Sequence, residues 1–144
     1  MTFFAHFFDS ADSRRRLAHI KALMELAAVD GNVDDSEIDR ISEIGLRIGL
    51  TDSEIDRIFQ EPDSIAFKIP ESVEERLILL FDYVHVMYAD GVIDPDELDY
   101  CYKTVTKLRF PEEKAKLLID LFSRAVERGD DPSALLVEAK RLLE

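Results

Sequence analysis

Tryptophan is absent from this 144-residue chain, cysteine occurs once, and glycine and proline occur five times each. A lone cysteine, Cys101, excludes an intramolecular disulfide and points to a reducing compartment. So few Gly and Pro leave little room for long structureless loops. Basic residues are scarce too: 18 Lys and Arg stand against 31 Asp and Glu, for a formal net charge of −13. Such a surface disfavours nucleic acid and anionic membrane as partners. No apolar run approaches the ~20 residues of a transmembrane helix. The opening MTFFAHFFDSADSRRR has neither the basic leader nor the apolar core of a signal peptide, so a cytoplasmic protein is expected. Gly-rich phosphate loops and G-x-S-x-G are missing. His6, His19 and His85 show no E-x-x-H or H-E-x-x-H spacing, and no enzyme is expected.

What is present is helical period. Hydrophobic residues make up 47% and charged residues 34%, the balance of a globular protein, and 144 residues fit one domain with a real core. Apolar stripes predict an all-α fold of about seven helices. They run from about Ser13 to Val29 (Leu17, Ile20, Met24, Ala27), Asp35 to Gly49 (Ile38, Ile41, Ile48) and Asp52 to Gln60. Pro62 and Pro70 mark a dividing loop. Between Leu77 and Ala89 only Asp82 and His85 are strongly polar, which predicts a central buried helix. Further helices are expected from Pro95 to Arg109, Pro111 to Arg128 and Pro132 to Leu143, the last opened by a capping Asp before proline.

The heptapeptide DSEIDRI occurs at Asp35–Ile41 and again at Asp52–Ile58. Asp34 precedes one copy and Thr51 the other, with Glu37 or Glu54 three residues on. Each is a capping box: the cap oxygen accepts from the third helical amide and the Glu reaches back. The heptapeptide therefore marks helix starts. A second repeat is more informative. VDGNVDDSEID (29–39) matches ADGVIDPDELD (89–99) at an offset of 60, pairing Asp30 with Asp90, Gly31 with Gly91, Asp34 with Asp94, Glu37 with Glu97 and Asp39 with Asp99. Flanking apolar residues align as well, Leu17 with Leu77 and Ile41 with Cys101 among them. This predicts a duplicated helix–loop–helix unit, with halves at about 13–60 and 73–128.

Residues 30–39 and 90–99 hold ten of the 31 acids and no Lys or Arg, a concentration that attracts cations. Their D-G-x-[VI]-x-x-x-E pattern resembles the second half of an EF-hand loop, with Glu37 and Glu97 at the twelfth position. Leu26, Ala28, Val86 and Tyr88 fill the first and third positions and cannot ligate, so at most a truncated oxygen site remains, with an affinity on the order of 10⁻⁴–10⁻³ M. Read structurally, Gly31 and Gly91 end helices, Val33 and Ile93 enter the core, and Asp34, Asp94, Glu37 and Glu97 cap. Only Asp30 and Asp90 then lack a role, and each sits where a helix dipole disfavours an acid.

The stretches AVDGNVDDSEID and YADGVIDPDELD resemble the acidic A-x-D-G-x-[IV]-x-x-x-E loops of the TerB family of tellurite-resistance proteins, over about residues 13–128. Tyr88 replaces the small residue in the second loop. The resemblance implies an all-helical fold of two similar halves and a divalent-cation site (Ca²⁺, Mg²⁺ or Zn²⁺) drawn from Asp30, Asp34, Glu37, Asp90, Asp94 and Glu97. It implies no established reaction. The HPD signature of J-domain relatives is absent.

Two functions are therefore expected: a cation-binding stress module, or an interaction domain whose acidic face docks a basic protein without metal. If the two loops form one site, the Asp30 and Asp90 carboxylates lie close together; beyond about 12 Å no single ion with the 2.3–2.6 Å ligand distances of calcium bridges them. His85 and Cys101 are expected in the core, Cys101 inert. Arg14–Arg16 reads as a solvated first turn or a partner for an acidic loop. Phe3, Phe4, Phe7 and Phe8 form an apolar stripe that packs on the domain or makes a homodimer contact.

Overall fold

A computed structural model describes residues 13–28, 33–88, 93, 95–130 and 132–144. Seven α-helices and no strand occur among them, as the periodicity predicts. The chain forms two compact units, Met1–Ile69 and Pro70–Glu144. The first holds α1 (Ser13–Ala27), α2 (Asp35–Arg47), α3 (Asp52–Gln60) and a 3₁₀ turn, Pro62–Ser64. The second holds α4 (Val73–Met87), α5 (Pro95–Lys107), a 3₁₀ turn at Glu112–Lys114, α6 (Ala115–Arg128) and α7 (Pro132–Leu142). The Phe-rich segment lies outside the described residues.

Helix starts follow the capping grammar. Asp34 Oδ1 accepts from the Glu37 amide at 2.8 Å, and Glu37 Oε1 accepts from the Asp34 amide at 3.3 Å. Thr51 and Glu54 make the same exchange at 3.2 and 3.0 Å. Ser72 Oγ accepts from the Glu75 amide at 3.1 Å, opening α4. Helix α6 departs from its expected start at Pro111. Lys114 offers no side-chain cap, and the chain enters through the 3₁₀ turn, with the Lys114 amide bonded to the Pro111 carbonyl at 3.0 Å.

In the first unit α1 packs on α2 and α3, and Ile20, Leu23, Ile41, Ile44, Ile55 and Ile58 are buried. Leu17 and Met24 are only half-buried, so the buried stripe of α1 is rotated toward Leu23 and Leu26. Gly45 has a steric role: a Cβ there would meet the Ile55 side chain at 2.9 Å. Lys21 is buried as well, its ammonium 2.5 Å from Glu25 one turn on. In the second unit α6 packs on α4, α5 and α7, and Phe122 meets the Phe81 ring edge-on at 5.7 Å. Helix α4 is buried on nearly every side, as its almost unbroken apolar run requires.

The C-terminal ends of α2 and α5 share one geometry. The Gly49 amide bonds the Leu46 carbonyl at 3.1 Å, and the Leu50 amide bonds the Gly45 carbonyl at 3.0 Å. Sixty residues on, Arg109 bonds Thr106 at 2.9 Å and Phe110 bonds Val105 at 3.1 Å. These are Schellman turns, which need a left-handed residue. Gly49 supplies it at φ +106, Arg109 at φ +67. An arginine sits at each turn. Arg76 Nη1 donates to the Leu108 carbonyl at 3.0 Å, and its guanidinium lies over the Phe110 ring at 5.1 Å. The Arg16 guanidinium passes Gly49, with Nη1 3.5 Å from where a Cβ would stand. Arg16 thus leaves the solvated group expected of it and lies at a helix C-terminus, where a cation is favoured.

Two outcomes follow in urea unfolding. Arg109→Gly relieves the left-handed strain and raises stability by about 1 kcal/mol. Arg76→Met removes a charged hydrogen bond and a cation–π contact, lowering stability by about 2 kcal/mol.

Candidate functional site

The two acidic loops are the candidate site. Asp30, Asp90 and Asp94 lie outside the described residues, and so does the expected approach of Asp30 to Asp90. Asp34, Glu37 and Glu97 are described. Leu26 and Val86 are buried within α1 and α4, so an EF-hand loop cannot begin at either.

Asp34 is the extended residue before α2, at φ −79 and ψ 171, and it is exposed. Its Oδ1 also accepts from Ser36 Oγ at 2.8 Å. The Glu37 amide, and then the Ser36 hydroxyl, hold its carboxyl below the usual carboxylate range. Asp34 is therefore charged at neutral pH. A carboxylate offers about four acceptor sites, so capping does not exhaust it. Glu37 differs, being 6% exposed with Oε1 committed to the Asp34 amide. The sequence placed both residues in a capping box, and the geometry agrees.

In the second loop Tyr88 ends α4, its amide bonded to the Val84 carbonyl at 3.1 Å. The Tyr88 hydroxyl donates to Glu127 Oε1 at 3.1 Å, tying the loop's entrance to α6. Burial, the largest influence, raises its pKa. This contact was invisible in the sequence, where nothing beside Tyr88 points to Glu127. Glu97 is half-buried one turn before Cys101. Burial, with the Glu97 charge adding to it, pushes the Cys101 thiol up to about 12. His85 is half-buried, its ring 5.8 Å from that of Phe81.

Among the described residues, no three His, Cys, Asp or Glu side chains gather as metal ligands. No helix there is long and apolar enough to cross a membrane. In comparisons with known proteins, the chain matches no family model, no curated protein and no solved structure.

The Cys101 thiol will resist a disulfide-exchange reagent at pH 8 in the folded chain and react fully in 6 M guanidinium, since only the thiolate attacks. Equal reaction rates would show an accessible sulfur. Asp34 carries a pH dependence. Its folded pKa lies below the unfolded value near 3.8, so its stabilisation is complete above that value and lost as pH falls through the folded one. Asp34→Asn keeps a cap without the titration. Its melting temperature should drop less than the wild type's between about pH 5 and about pH 2.

Proposed function

We propose that this chain is a TerB-like, non-enzymatic module whose two acidic loops bind divalent cations, in the setting of tellurite resistance or stress response that the family resemblance implies. One observation carries this reading. Helices α1 and α4 have bounds 60 residues apart at both ends (13 to 73, 27 to 87), and so do α2 and α5 (35 to 95, 47 to 107). The Schellman turns and their arginines, Arg16 and Arg76, keep the same offset. This supports descent of both helix pairs from one unit, with the acidic loop at the same register in each. Arg109 stands where the first pair has Gly49, and Tyr88 where it has Ala28, yet both loops keep the D-G and the following Glu. Acids kept through such drift, at helix ends that disfavour them, support a charge-based role. Asp30, Asp34 and Glu37 would supply oxygens in one loop, Asp90, Asp94 and Glu97 in the other.

A second reading draws on the capping itself. Asp34 and Glu37 spend carboxylate oxygens on the amides of α2. Asp34, held this way, serves the helix while its charge stays exposed at the surface. An acidic face of that kind docks a basic protein without any metal.

Calorimetric titration of the full chain with Ca²⁺, Mg²⁺, Mn²⁺ and Zn²⁺ separates the two. The cation reading expects saturable heat for at least one ion, with a Kd on the order of 10⁻⁴–10⁻³ M, abolished in Asp30→Asn, Asp90→Asn. Absence of heat with all four ions, beside salt-sensitive capture of a basic protein such as a histone, supports the interaction domain instead.

A further inference from the structure

Away from the acidic loops, the first unit carries a groove of opposite character. Its volume is about 480 Å³, and it lies between the start of α1, the middle of α3 and the chain after the Pro62–Ser64 turn. Three cations line it, Arg14, Arg57 and Lys68, around an apolar floor of Leu17, Ala18 and Ile65. No acid lines it among the described residues. In a chain with 31 acids and 18 bases, that grouping is far from the average surface. The three cations are exposed, and none is paired with an acid among the described residues, whereas Lys21, Arg40, Lys103 and Lys140 all are.

The groove wall has a second property. Ile65 is extended, at φ −126 and ψ 124. From there exposure alternates: Ile65, Phe67 and Ile69 are half-buried, Ala66 and Lys68 exposed. That is the two-residue period of a strand. Ala66 and Lys68 make no backbone–backbone hydrogen bond among the described residues. Among the described residues, the Ala66 and Lys68 backbone groups are thus open to pairing with another extended chain.

We propose that this groove docks an acidic peptide segment in extended conformation. Its main chain pairs with the backbone groups of Ala66 and Lys68, one apolar side chain rests on Leu17, Ala18 and Ile65, and flanking carboxylates meet Arg14, Arg57 and Lys68. Charge complementarity selects the partner, since three cations unpaired among the described residues exceed what one carboxylate uses. The open edge selects its conformation. The proposal stands apart from the acidic loops, and its test does not depend on any metal.

The probe is a fluorescein-labelled EDELDE hexapeptide, followed by anisotropy against the full chain at moderate salt. Saturable binding is expected, with none for the same peptide carrying lysines in place of its acids. Arg57→Glu, Lys68→Glu weakens binding at least about tenfold, and raised salt weakens it further. Both substitutions are on exposed side chains, so helical circular dichroism stays unchanged, and Arg14→Gln provides a milder second variant with a smaller loss. A probe N-methylated along its backbone also loses affinity, because it cannot pair with the edge. Failure to saturate, equal binding to the charge-reversed variant, or full displacement by succinate at the peptide's own concentration would overturn the proposal, the last by revealing a site for small organic anions only.

Discussion

A guanidinium lying at the C-terminal end of a helix is the contact on which each helix pair closes. The last carbonyls of α2 and α5 lack intrahelical donors. The Schellman turns satisfy part of that need through Gly49, Leu50, Arg109 and Phe110. In the second unit Arg76, from the first turn of α4, supplies the rest by reaching the Leu108 carbonyl. Burying the end of α5 against α4 would otherwise strand polar groups, which costs more than a single hydrogen bond contributes. Helix α4 is too apolar to tolerate exposure. Its position next to α5 therefore depends on a polar end being neutralised, and Arg76 does this while its flat face covers Phe110. Lysine lacks that planar face.

Much of this was legible in the sequence wherever the cause is local. Asp34, Thr51 and their partners three residues on announced helix starts, because a capping box is complete within four residues. The apolar run after Leu77 announced a buried helix for the same reason. Helix ends were harder. Gly49 signals a left-handed turn by itself, but Arg109 does not. Its φ of +67 belongs to the turn, whose Arg109 carbonyl accepts from Arg76, 33 residues away. The burial of Lys21 is likewise decided by neighbours in space. Of the candidate site, the capping duties of Asp34 and Glu37 could be read directly. The Tyr88–Glu127 bond could not, because nothing near Tyr88 in sequence points to α6.

The repeated heptapeptide shows how identical local sequence acquires different roles. Both copies start a helix in the same way. Arg40 in the first lies 3.7 Å from Glu43 on its own helix. Arg57 in the second has glutamine at the corresponding place, Gln60, and faces a groove instead. The fold thus consumes one arginine locally and leaves the other available. No inspection of the heptapeptide alone distinguishes them; the second residue beyond it does.

Charge then divides the molecule into two scales. The net charge of −13 sets a long-range field that favours cations over anions. At physiological ionic strength that field decays over about 8 Å, so it acts on approach and fades at contact. The groove lined by Arg14, Arg57 and Lys68 works inside that distance. An acidic segment reaching it must cross a repulsive surface, so a free small anion gains little, while a chain that also pairs its backbone recovers the cost. The acidic exterior filters what the basic groove encounters, and a single chain can thereby attract cations broadly while presenting a local site for acidic groups.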